Sequence, residues 1–150
     1  MSSQFVTWNA IEDDHPGRAL AKKSYGLVAT GNKEEWLKLF TDDAVVMDPV
    51  GPSFFDPEGK GHHGKEGIAN FWDTAIAMVK KFHFTVNDSF ANGNNCANVA
   101  VFTTTLEDGT TIDTELVAVY EITDDGTQIK SMKAYWEPDR AMATARKEDA

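Results

Sequence analysis

A single cysteine in 150 residues, Cys96, leaves no internal disulfide to be made, so nothing in the chain asks for an oxidising compartment. Bases are scarce too. Fourteen Lys and Arg stand against 24 Asp and Glu, a formal net charge of -10 at pH 7. That balance argues against a nucleic-acid surface, which needs basic patches, and against anionic membranes. No apolar run approaches the ~20 residues of a membrane span. Met1-Ser2-Ser3-Gln4 does not open a signal peptide. A cytoplasmic protein is expected. The chain also lacks a Gly-rich phosphate loop, a G-x-S-x-G elbow, a Cys-x-x-Cys pair, repeats and low-complexity tracts. His62 and His63 are adjacent, so on a strand they point to opposite faces, and no third ligand is spaced for zinc. Neither a metal nor a cofactor is expected.

What the chain does have is one domain's length, with 41% hydrophobic residues and a generous nine Phe and four Trp. Its organising stretch is Asp42-Asp43-Ala44-Val45-Val46-Met47-Asp48-Pro49-Val50-Gly51. A strand-like apolar run ends in one carboxylate, Asp48, and Pro49 cannot donate to a ladder, so pairing stops there. A carboxylate at the inner end of a buried strand is poorly solvated and its pKa rises, which suits proton abstraction near neutral pH. The competing reading is a strand-ending turn whose Asp caps local backbone.

Residues 1–12 lack periodicity and read as a loosely held arm, although Phe5, Val6, Trp8 and Ile11 are apolar enough to cover something. Asp13-Asp14-His15-Pro16 starts a helix bearing Leu20, Ser24, Leu27 and Val28 on one stripe, with a stop at Gly31. Asn32 caps a second helix, with Glu35 at the capping-box position and Trp36, Leu39 and Phe40 inward. A loop over 51–63 carries Phe54 and Phe55. A third helix is expected from Gly64 to Val79, with Ile68, Phe71, Trp72, Ala75 and Val79 on one face. Asn92-Gly93, Asp108-Gly109 and Asp125-Gly126 punctuate four strands at about 82–90, 96–106, 111–122 and 128–137. After Pro138 a polar tail frays or forms a short helix. Residues 13–138 thus make one α+β domain, three helices on a curved, mostly antiparallel sheet, enclosing an apolar pocket where the layers diverge.

The Asp42–Gly51 stretch resembles the strand bearing the catalytic aspartate of ketosteroid isomerases, with the pattern Asp-Asp-Ala-x-Val-x-Asp-Pro-x-Gly. The similarity continues through Gly64-Lys65-Glu66-Gly67-Ile68-Ala69-Asn70-Phe71-Trp72 and Ser131-Met132-Lys133-Ala134-Tyr135-Trp136. On these motifs the chain resembles the steroid Δ-isomerase-like branch of the nuclear-transport-factor-2-like, or SnoaL-like, superfamily, a cone-shaped fold. The resemblance implies a homodimer, a small hydrophobic, steroid-like ligand, and a double-bond shift in a 3-ketosteroid.

Carried over residue by residue, Asp48 takes the position of the base. Trp72, Met132 and Trp136 fall where the family lines its cavity, with Phe54, Phe55 and Phe71 nearby. Ordinary core packing competes with ligand contact at the aromatic positions. The family's donor tyrosine falls on Ser24, one residue from Tyr25, and one residue turns a side chain by ~100° around a helix. Its protonated aspartic acid falls on Ala118 or Val119, neither of which donates. Asp113 and Glu115 are substitutes only from another register. Loss of one oxyanion donor typically lowers rate by about 10²- to 10³-fold. Two readings follow: an isomerase using Asp48, or a binding protein for the same class of ligand. Hydration or epoxide opening ranks third, for want of an accompanying Arg-Asp pair. Cys96 reads as a small core residue, and His83 as a surface histidine between Phe82 and Phe84.

Overall fold

The computed structural model describes residues 4–147. Its frame is a sheet of eight strands among the described residues, in the order β1-β4-β5-β6-β7-β2-β3, with β8 pairing β6. The strands are β1 (Val6–Trp8), β2 (Phe40–Met47), β3 (His62–His63), β4 (Val79–Asn92), β5 (Asn95–Leu106), β6 (Thr110–Ile122), β7 (Ile129–Tyr135) and β8 (Arg146–Lys147). The long ribbon β4-β5-β6-β7 is antiparallel throughout, because its connections are short turns. Gly93, Gly109 and Gly126 take the left-handed backbone that these turns require. Register shifts at Val86/Asp88 in β4 and at Glu121/Ile122 in β6 help the sheet to bend.

Helix α1 (Pro16–Ala29) lies across the concave face and buries Leu20, Ala21, Ser24, Tyr25 and Val28. It is capped by His15, whose Nδ1 accepts from the Gly17 backbone N–H at 3.0 Å. The acid before it, Asp13, is instead engaged by Arg18. Helix α2 (Lys33–Leu37) is capped by Asn32 Oδ1 on the Glu35 N–H, as the spacing predicts. It is shorter than expected: Phe40 already belongs to β2, where parallel pairing to β7 takes over from helical bonding.

The third helix also ends early. Helix α3 (Gly64–Phe71) passes into a π turn at Trp72–Ile76, and Val79 opens β4. The apolar stripe continues past the helix because its residues face one cavity from either element. Within the arm expected over residues 1–12, Val6–Trp8 is instead a strand; residues 1–3 lie outside the described residues. β1 adds to the edge of β4 in parallel, with Val6 and Trp8 each 6% exposed. Lys22 Nζ sits 4.2 Å from the Trp8 ring centroid. In the expected polar tail, residues 138–147 carry α4 (Pro138–Met142) and β8, tied to β6 by Thr144, which accepts from the Asp113 N–H, and by Arg146 on Asp113, and residues 148–150 lie outside the described residues.

Candidate functional site

The helical roof and the bent sheet diverge around a cavity of about 500 Å³. Phe71, Ala75, Ile76 and Met78 form its roof; Phe82, Phe102, Thr104, Ile112, Thr114 and Leu116 form its sheet wall. Phe54 and Phe55 from the loop, and Ala141 and Met142 from α4, close its mouth. The volume suits a small organic ligand of ordinary size. Among the described residues of this lining, Asp48 is the only ionisable side chain.

Asp48 arrives there by strand alternation. Ala44 and Val46, both fully buried, face inward on β2, and Asp48 keeps that side just past the strand's end. The Asp48-Pro49 peptide is cis, and the Val50 N–H is caught by the Ala134 carbonyl at 2.8 Å. Trp136, just beyond β7, donates its indole N–H to Asp48 Oδ1 at 2.5 Å. That bond lowers the carboxyl pKa, but burial outweighs it and pushes the group up to about 6.

The raised value has a stability consequence with a definite sign. The folded protein keeps a proton on Asp48 over a pH range where the unfolded chain, with an ordinary carboxyl pKa, has lost it. The stabilisation is complete below about pH 4 and is lost as pH rises through about 6. At neutral pH it amounts to a penalty of at most about 3 kcal/mol. Asp48→Asn is therefore expected to melt above wild type at pH 7–8, by several degrees for a chain of this size. The gap should shrink to nothing near pH 4, as paired thermal scans across pH will show.

The remaining residues singled out from the sequence divide between cavity, core and outer face. Trp136, Phe54, Phe55 and Phe71 line the cavity with Asp48. Ser24 does not reach it: its hydroxyl accepts from the Trp36 indole N–H at 3.0 Å, inside the core. Trp72 packs against Trp36 with the rings tilted and centroids 5.2 Å apart, and is buried in the core outside the cavity lining. Met132 and Ala118 are buried deeper in the cone, and outside the cavity lining. Val119, with Val117, points to the opposite, outer face, because β6 alternates and Leu116, Ala118 and Tyr120 take the inward positions. Asp113 and Glu115 are engaged by Arg146 and Arg140 at the surface, far from an oxyanion role. His83 bonds Thr7 at 2.8 Å across the β1–β4 edge.

Tyr25 lies one layer beneath the cavity wall. Its ring stacks on Phe84 at 4.8 Å and meets Phe102 edge-on at 5.5 Å. Its hydroxyl receives two hydrogen bonds, from Asn98 Nδ2 and from the Tyr120 hydroxyl, both at 3.1 Å. Burial pushes the Tyr25 phenol up to about 12 and the Tyr120 phenol well above its ordinary value; the Asp48 charge adds to both. Asn98 and Tyr120 were not evident as site residues from the sequence. A signal existed for Asn98: Cys96, Asn98, Ala100 and Phe102 alternate onto one face of β5, and Asn98 is the one strongly polar side chain in that row.

Comparison with known proteins agrees with this architecture. A SnoaL-like domain model matches residues 21–132. No curated protein sequence matches. Among solved structures, RV0760c from Mycobacterium tuberculosis is 28% identical, with a TM-score of 0.79, over 91% of this chain and 98% of its own. The same protein solved in complex with estradiol-17beta-hemisuccinate gives 29%, a TM-score of 0.77, and coverage of 89% and 99%. The Δ5-3-ketosteroid isomerase of a Mycobacterium species is 30% identical, with a TM-score of 0.77, over 88% of this chain and 98% of that one. The chain belongs to the SnoaL-like domain family of the nuclear-transport-factor-2-like superfamily, and its structural neighbours include ketosteroid isomerases.

Proposed function

We propose that this protein is a steroid Δ-isomerase-like enzyme that shifts a double bond in a hydrophobic 3-ketosteroid by proton transfer through Asp48. One observation carries the reading: a lone carboxylate, raised to about 6, opens into an apolar chamber of about 500 Å³. With Trp136 holding Oδ1, Oδ2 is left to take the proton from the carbon between ketone and double bond. The same carboxyl returns it two carbons away. The negative charge that develops on the ketone oxygen needs a hydrogen-bond donor. Of the two candidates on α1, Ser24 is engaged by Trp36, which leaves Tyr25. Its ring meets Phe102 of the cavity wall edge-on, so on this reading a ketone has to reach past Phe102 to its hydroxyl.

A second reading has its own observation. Among the described residues no tyrosine or second carboxylic acid lines the cavity; besides Asp48, only Trp136, Thr104 and Thr114 bring polar side-chain atoms to it. A non-catalytic binding protein for a steroid-like ligand, anchored on Asp48, needs no more than that. Ultraviolet absorbance of a Δ5-3-ketosteroid, with wild type and Asp48→Asn, separates the two. Turnover that the substitution removes supports the enzyme, and binding without turnover supports the carrier.

On either reading the protein works as a cytoplasmic homodimer with no nucleic-acid or membrane partner. The outer sheet face supports the dimer: Phe90, Val99, Val117 and Tyr135 are between 38% and 62% exposed there. Register sets Val99 beside Val117, and Val117 beside Tyr135. Sedimentation is expected to give twice the chain mass, and Val117→Lys to halve it.

A further inference from the structure

The polar groups beneath the cavity form a hydrogen-bonded chain that begins at Arg18. Arg18, 6% exposed, donates through Nε to Ser89 Oγ at 2.9 Å and through a terminal nitrogen to the Ser89 carbonyl at 3.0 Å. Another terminal nitrogen binds Asp13 at 2.6 Å. A guanidinium only donates. The Ser89 hydroxyl accepts there and gives its own hydrogen to Asn98 Oδ1, 2.7 Å away, with Cys96 Sγ 3.8 Å from the same hydroxyl. Cys96 adds a thiol donor to the same oxygen at 3.5 Å. With Oδ1 so occupied, the Asn98 amide turns its nitrogen to the Tyr25 hydroxyl. Tyr120 donates to that oxygen as well. Having accepted twice, the Tyr25 oxygen keeps its own hydrogen for a third partner. Ser89, Asn98 and Tyr25 are each at most 4% exposed and Arg18 is 6% exposed, so water does not compete along the chain. Gly17 permits the arrangement: a Cβ there would lie 2.8 Å from Cys96 Cβ, so α1 can approach β5 and set Arg18 on Ser89.

We propose that Arg18, Ser89 and Asn98 are positioning residues for Tyr25, a one-way hydrogen-bond chain that holds its hydroxyl as a donor for the oxygen of a bound ketone. This rests on the reading of Asp48 as a base acting on such a ketone. Asn98 faces Ala118 in the β5–β6 register, and Ala118 is one of the two positions, with Val119, where the resemblance places a carboxylic acid that this chain lacks. The chain supplies from the next strand, through Tyr25, what Ala118 does not. Every link donates the same way, so the links polarise one another and strengthen the last donor.

The test needs no knowledge of the ligand. Fluorotyrosine incorporated at the three tyrosines gives one buried signal each for Tyr25 and Tyr120, distinguished by Tyr120→Phe, and a half-exposed reference in Tyr135. Ser89→Ala cuts the chain, and Asn98→Asp replaces its last donor by an acceptor. In either variant the Tyr25 acid constant is expected to weaken by roughly 3- to 10-fold, with Tyr135 unmoved. Asp48 stays ionised through that titration, the Cys96 thiol is common to all the proteins, and Tyr120 reads from its own signal. On a Δ5-3-ketosteroid, Asn98→Asp should lower kcat about tenfold at unchanged KM. Folded variants in which Tyr25 titrates as in wild type would overturn the chain. If Tyr25 shifts as expected but wild type turns over no ketosteroid, the chain stands and the isomerase reading falls.

Discussion

Asp48→Asn is expected to lower kcat on a Δ5-3-ketosteroid by about 10²- to 10⁴-fold, the range a positioned general base contributes. The substitution keeps shape, and the amide oxygen can still accept from the Trp136 indole, so the cavity should survive. KM should change little, because the apolar wall does most of the holding. Stopped absorbance traces for kcat and equilibrium binding of a naphthol-type dienolate mimic separate the two effects. A loss of binding equal to the loss of rate would mean that Asp48 anchors the ligand in the ground state instead. Trp136→Phe makes a useful companion: without the indole donor nothing opposes burial, so the Asp48 pKa rises further above about 6, and the acid limb of the pH–rate profile moves up with it.

Filling the chamber should abolish binding without touching the carboxylate. Ala75 lies on the roof, half-buried, and faces the cavity from the π turn. Ala75→Trp places an indole where a ligand ring has to lie. Affinity for the same mimic is expected to fall by at least about 100-fold, equivalent to about 2.7 kcal/mol. Thermal unfolding should change little, since the added ring projects into the cavity and displaces no core side chain. Retained affinity would show that ligand binds elsewhere on the molecule.

The fold was legible where local chemistry and tertiary demand coincide. The Asn32 cap, the Gly turns and the alternation along β6 each specify one conformation from a few residues. Boundaries slipped where tertiary pairing overruled helical spacing. Phe40 sits at helical spacing from Trp36 yet joins β2, and Val79 continues the stripe of α3 yet opens β4. The arm was misread for a related reason: the pattern of Val6 and Trp8 is too short to announce a strand, and only the free edge of β4 makes it one.

At the site, Asp48 was readable because a single charge ends an apolar run. Trp136 was readable only by resemblance, and its bond to Asp48 depends on β2 and β7 lying side by side. Ser24 looked central on the helix stripe, but a stripe does not say whether a hydroxyl faces a cavity or a Trp36 indole. The Arg18–Ser89–Asn98–Tyr25 chain joins residues up to 80 positions apart, drawn from α1, β4 and β5, so no local pattern announces it.

The account stands on a carboxyl group kept short of water at position 48. Carbon-13 NMR of the aspartate carboxyls, with the Asp48 signal assigned through Asp48→Asn, reads this directly in the free protein. A midpoint near 6 is the predicted result. A midpoint at the ordinary carboxylate value near 4 would contradict it, since a solvated Asp48 is neither a base tuned for neutral pH nor the polar end of a dry chamber.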